Sequence, residues 1–185
     1  MGSEMCIRDR GAGQVLQCPY TADKARLVVQ EMTDVLVLDL VEKGMVTDQM
    51  VLTIGYDIDN LKAGASAPYR GDVTTDRYGR KIPKHAHGTA NLGELTSSTR
   101  KIMGAVMELY DRIVDDKLLV RRINLVANHI VKEEKAVSEQ EYEQLDLFTD
   151  YGAKQEQDEK EKEELHREKQ IQHCLLYTSP SPRDP

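Results

Sequence analysis

The feature that most constrains the fold of this chain is the order in which hydrophobic periodicity changes between residues 11 and 131. Thr21 to Lys43 sets Ala25, Val28, Met32, Leu36 and Leu40 three and four residues apart. That spacing puts them on one stripe of a helix, and Gly44 supplies a C′ residue able to end it. Gln49 to Tyr56 is short, β-branched and flanked by Thr47-Asp48 and Asp57-Ile58-Asp59-Asn60, so it reads as a strand. Residues 57–82 form a long polar connection. Lys84 to Leu92 then alternates, with His85, His87, Thr89 and Asn91 on one side and Ala86, Gly88, Ala90 and Leu92 on the other. Thr96 or Ser97 is placed to cap a second helix with the stripe Ile102, Val106, Leu109 and Ile113. Arg121 to Val131 alternates again, setting Ile123, Leu125 and Ala127 against Arg122, Asn124 and Asn128. With a short first strand at Gln14 to Gln17, the order is β-α-β-β-α-β.

That order predicts an α+β fold in which two amphipathic helices cover one face of a four-stranded antiparallel sheet and leave the other face polar and wet. The open face would carry His85, His87, Thr89, Asn91, Arg122 and Asn124, with Lys84 beside them. Cationic and amide groups on a sheet are what contacts to phosphates or base edges need, although a merely solvated surface has the same composition. The basic run Arg70, Arg77, Arg80, Lys81 and Lys84 outweighs Asp72 and Asp76 in the long connection and would steer a polyanion if it tracks phosphates. His85 and His87 lack a third ligand nearby in sequence and a carboxylate to orient them, so neither a metal site nor acid-base catalysis is assigned to them.

Composition excludes other classes. The longest nearly apolar run, Val35 to Val41, contains Asp39 and falls far short of the ~20 residues that cross a bilayer, so no membrane partner is expected. Three scattered cysteines, Cys6, Cys18 and Cys174, make neither a disulfide framework nor a zinc site, and a reducing cytoplasm is the expected setting. Residues 1–10 and 174–185 resemble read-through translations of sequencing adaptors and are set apart, leaving a domain over 11–131, a linker over 132–152 and a charged, helix-prone tail over 153–173. Lys132 to Lys169 holds fourteen acidic against seven basic residues, a net of −7, so the whole imbalance of the chain lies outside the domain. On this view the chain is a fragment that begins upstream.

The segments Gly13-Gln-Val-Leu16, Glu31-Met-Thr-Asp34, Thr53-Ile-Gly-Tyr-Asp57, Lys84-His-Ala-His-Gly-Thr89, Thr96-Ser-Ser-Thr99 and Leu119-Val-Arg-Arg-Ile-Asn124 resemble the C-terminal little finger domain of bacterial UmuC/DinB-type Y-family DNA polymerases. The resemblance spans residues 11–152 and implies the same β-α-β-β-α-β order. It implies a domain that lies in the DNA major groove and grips the primer-template backbone during translesion synthesis and repair, on damaged DNA included. The family's magnesium ions sit on palm carboxylates that precede the little finger, so no cofactor and no catalytic residue is assigned here, and the chain alone is expected to polymerise nothing.

Gln144-Leu145-Asp146-Leu147-Phe148 follows a polar linker and holds the only Phe of the chain. It resembles the Gln-Leu-x-Leu-Phe peptide by which bacterial polymerases dock on the sliding clamp. The Gln amide suits a polar site, and Leu147 with Phe148 suits an apolar pocket. The competing possibility is that Leu145, Leu147 and Phe148 fold back on the domain. A rival of another class, an RNA-binding or protein-interaction module with a ferredoxin-like sheet, would show aromatic side chains on the open face, where this sequence has His, Thr, Asn and Arg.

Overall fold

The computed structural model describes residues 9–62, 69–134 and 151–178. The chain runs β1 (Asp9–Tyr20), α1 (Ala22–Glu42), β2 (Met45–Tyr56), a 3-10 turn (Ile58–Leu61), β3 (Val73–Thr75), β4 (Lys81–Pro83), β5 (Ala86–Thr96), α2 (Thr99–Ile113), β6 (Val120–Asn128), β7 (Val131–Lys132) and α3 (Tyr151–Thr178). Strands β1, β6, β2 and β5 lie side by side in that order, all neighbours antiparallel, and the two-residue β7 adds to one end of β2. The predicted β-α-β-β-α-β frame is therefore present, enlarged by β7 and by a separate β3–β4 hairpin.

Alternation explains the layers. Met50, Leu52 and Ile54 of β2 and Ile123, Leu125 and Ala127 of β6 are fully buried, facing Ala25, Val29, Val37 and Leu40 of α1 and Ile102, Val106 and Leu109 of α2. Both helices thus cover one face of the sheet, and their own contact is fastened by the Tyr110 hydroxyl donating to the Ala22 carbonyl at 2.8 Å. Arg26 adds an exposed fork to Asp111 at 2.9 and 3.2 Å. An ion pair this exposed adds little to stability. The α1 stripe is wider than Ala25, Val28, Met32, Leu36 and Leu40, because Val29, Thr33 and Val37 are buried too while Val28 is only half-buried.

Several boundaries differ from the sequence expectation. The first strand extends well beyond 14–17, pairing from Asp9 with Asn128 to Val15 with Arg122 before the register breaks ahead of Tyr20. Ladder bonds join backbone groups, so Gly11-Ala12-Gly13 pairs without any side-chain signal. Two residues of the stretch set apart as adaptor-like, Asp9 and Arg10, lie in this strand, and Arg10 pairs with Asp39 of α1. The strand placed at Lys84 to Leu92 is shifted to Ala86–Thr96. The last strand does not run unbroken to Val131: His129 adopts a positive φ of 52° and turns the chain, with its ring 2.8 Å from Asp48. The cap of α2 is Ser98, not Thr96 or Ser97; its hydroxyl accepts from the Lys101 amide at 3.5 Å, while Thr96 instead accepts from the Ser98 amide. At the end of α1, Gly44 has φ +58°, the left-handed conformation expected of a helix-ending glycine.

Residues 57–82 are not merely a polar connection. Asn60, 5% exposed, donates to the carbonyls of Asp57 and Leu119 at 2.8 and 2.9 Å and accepts from the Leu119 amide at 2.8 Å, so one amide side chain takes over pairing where β2 leaves β6. The tail also departs from a freely solvated helix. Glu168 of α3 accepts from the Ser98 hydroxyl at 2.8 Å, Glu164 pairs with Arg100 at 2.9 Å, Lys169 with Glu133, and Gln172 with Thr99, so α3 rests on the N-terminus of α2 through polar contacts. The linker motif Gln144 to Phe148 lies outside the described residues.

Candidate nucleic-acid interface

Because α1 and α2 lie on one side, neither covers the other side of the four long strands. Antiparallel register arranges its side chains in transverse rows. One row runs Asp9, Asn128, Gln49, Asn91; the next Gly11, Val126, Val51, Thr89; then Gly13, Asn124, Thr53, His87; and last Val15, Arg122, Gly55. In the first row Asn128 donates its amide to Gln49 Oε1 and Gln49 donates to Asn91 Oδ1, both at 2.9 Å, so three amides are locked in one orientation across three strands. In the third, Thr53 Oγ1 and His87 Nδ1 are 2.8 Å apart, which leaves Nε2 without a partner among the described residues. Arg122 is exposed, and its guanidinium has no partner there either.

Glycines shape this face. A Cβ on Gly13 would stand 3.0 Å from Asn124 Oδ1, one on Gly55 3.2 Å from Arg122 Cβ, and one on Gly11 3.2 Å from Val126 Cγ2. Strand β6 therefore presents Arg122, Asn124 and Val126 as a ridge bordered by bare backbone, a relief that lets a ligand approach the main chain closely.

Beyond the Arg122 end of the sheet, the β3–β4 hairpin leads into β5. Its turn is held by Asp76, whose Oδ1 accepts from the amides of Tyr78 and Arg80 at 2.8 and 2.9 Å and whose Oδ2 accepts from Arg80 Nε at 2.8 Å. These hydrogen bonds, led by the Arg80 amide, hold the Asp76 carboxyl below its usual pKa. Gly79, at φ +76°, closes the turn in a conformation that a side chain would strain. Where the hairpin meets the end of α2, a cleft of about 440 Å³ is lined by Tyr56, Tyr69, Lys84, His85 and Lys117 among others. Burial raises the Tyr56 phenol pKa.

His87, Thr89 and Asn91 of β5 and Arg122 and Asn124 of β6 thus share the open face, as the alternation predicts. Lys84 and His85 do not join them: both precede the strand and border the cleft, with Lys84 Nζ 3.3 Å from Asp72. Sequence reasoning missed Gln49 and Thr53, although β2 alternates Gln49, Val51, Thr53 and Gly55 against Met50, Leu52 and Ile54; that parity was the available signal. Among the described residues no group of three or more His, Cys, Asp and Glu is arranged to hold a metal, and no helix is long and apolar enough to cross a membrane.

A two-layer α+β domain with one polar sheet face turned away from α1 and α2 is the class the geometry defines. The sequence profile of the impB/mucB/samB family C-terminal domain matches residues 11–147. The chain belongs to that family, the little finger domain of Y-family polymerases. No curated protein matches the chain. Among solved structures, a complex of the β-clamp processivity factor and the little finger domain of PolIV is similar at 8% identity and a TM-score of 0.41, covering 76% of this chain and 99% of that one. A post-insertion binary complex of Dbh DNA polymerase is similar at 11% identity and a TM-score of 0.38, covering 67% of this chain and 29% of that one.

Proposed function

We propose that this domain is the DNA-gripping C-terminal part of a bacterial translesion polymerase, and that its open sheet face lies against primer-template duplex while Gln144 to Phe148 docks on the sliding clamp. One observation supports the DNA reading above the others. Arg122 has no partner among the described residues and stands on the sheet face away from α1 and α2, next to a row of Gly13, Asn124, Thr53 and His87 that offers polar side chains and bare backbone to a phosphate. Its amides are locked into each other, which leaves few free groups to read base edges. Binding is therefore sequence-independent and dominated by counterion release. In the parent polymerase, magnesium and nucleotidyl transfer belong to a palm domain, and the protein works in the cytoplasm.

Titrating the chain into labelled primer-template at two salt concentrations tests this. Affinity should fall steeply with salt, with a log-log slope of about −0.9 for each phosphate neutralised. Replacing Arg122 with alanine should weaken binding by a similar factor on every sequence and reduce the slope by about one. Salt-independent binding, or strong preference for one sequence, would contradict the proposal.

A further inference from the structure

We infer that the tip of the β3–β4 hairpin is a stacking platform for an unpaired nucleobase, with Tyr78 as the platform. This rests on the DNA reading above and extends it from duplex backbone to exposed bases. Tyr78 is 81% exposed, more than any other large hydrophobic side chain of the described residues. A large aromatic ring left in water needs an explanation when the loop that carries it is rigid, and this loop is rigid: the Asp76 amide donates to the Arg80 carbonyl at 2.9 Å, the Gly79 amide to the Asp76 carbonyl at 3.0 Å, and both oxygens of Asp76 are engaged. The backbone that carries the ring is thus already ordered before any ligand arrives.

Its surroundings specify the occupant. The Arg80 guanidinium lies 5.3 Å from the ring centroid and is itself tied to Asp76 at 2.8 Å, so one face of Tyr78 is covered by a fixed cation and the other is open. Arg77 and Lys81 are close to it in sequence, while Asp76, the acid within the turn, is spent on internal bonds. A planar π face backed by the Arg80 cation matches a base whose neighbouring phosphates are anionic, and every base has such a face. An apolar protein pocket would have to desolvate the Arg80 guanidinium to close over the ring. Within a duplex the base faces are already stacked, so the occupant is an unpaired base, such as one in a single-stranded template overhang. The hairpin passes from Pro83 to β5 across only Lys84 and His85, which keeps the tip continuous with the proposed DNA face.

The test is fluorescence anisotropy of the whole chain with a long duplex and with the same duplex carrying a single-stranded overhang, for wild type, Tyr78→Ala and Tyr78→Phe. Tyr78→Ala should lose about ten-fold in affinity for the overhang substrate, the scale of one base–aromatic stack, and change duplex binding by less than two-fold. Tyr78→Phe keeps the ring and should match wild type. With 2-aminopurine as the first unpaired base, binding should alter its emission for wild type and Tyr78→Phe but not for Tyr78→Ala. Duplex binding accompanied by an overhang affinity indifferent to Tyr78→Ala overturns this inference alone. Failure to bind either DNA at low salt overturns the DNA reading with it.

Discussion

Replacing Leu147 and Phe148 together with alanine should abolish measurable binding to the bacterial sliding clamp and leave the melting temperature unchanged. The two side chains belong to a cluster with Leu145 inside sequence that is otherwise acidic and polar, and no helical or strand period assigns them to the core. Among the described residues, β2, β6, α1 and α2 bury one another's apolar faces. Seating a Leu and a Phe in a preformed pocket contributes about 1.5 to 3 kcal/mol each before ordering costs, so these two anchors carry a large share of the affinity of so short a peptide. Losing both removes about 3 to 6 kcal/mol, a weakening of at least about a hundred-fold. Calorimetric titration of the clamp with both proteins, beside a melting curve for each, separates the outcomes. A melting temperature that falls sharply, with no clamp binding by the wild type, would place the cluster in the core.

The second large effect concerns stability. Gly88 sits on the helix side of β5, where an added Cβ would lie 2.7 Å from Leu109 Cδ1 and 2.9 Å from Ile113 Cγ2 of α2. Leu109 is 1% exposed and cannot swing into solvent, so Gly88→Ala must push α2 away from the sheet or force a side chain off its rotamer. Overpacking of this kind costs about 1 to 3 kcal/mol, more than the few tenths to ~1 kcal/mol that replacing a strand glycine returns in chain entropy. The melting temperature of Gly88→Ala should therefore drop by several degrees, whereas Gly104→Ala, with nothing within 4 Å of its Cβ on exposed helix surface, should hold or raise it. Equal melting temperatures for Gly88→Ala and wild type would show that α2 does not press on β5 as described.

Gly88 also shows what the sequence could and could not reveal. Period-two alternation in residues 84–92 was enough to separate His87, Thr89 and Asn91 from Ala86, Gly88 and Ala90, because burial on one face alone writes that pattern. The same logic found α1, its Gly44 stop and the polar side of β6. It failed where backbone pairing carries the structure. The first half of β1, Asp9 to Gln14, is built from glycine, alanine and polar residues whose ladder to β6 leaves no mark in hydrophobicity, and the β3–β4 hairpin is held by Asp76 and Gly79 rather than by an apolar stripe. Alternation carried one residue ahead of the strand puts His85 on the open face, but at Lys84 and His85, between Pro83 and Ala86, the chain is still leaving the hairpin. The parity of β2 places Gln49 on the open face, but its hydrogen bonds to partners 42 and 79 residues away follow only from the register.

DNA is proposed to lie on the face of the sheet away from α1 and α2. Amide NMR of the isotopically labelled chain titrated with primer-template at low salt measures this directly. Shifts should concentrate in 11–15, 49–55, 87–91 and 122–128 and in the hairpin tip around Tyr78, while the outward surfaces of α1 and α2 stay unperturbed. Shifts confined to the helices, with the rows from Gln49–Asn91 to Arg122–Gly55 unchanged, would contradict it.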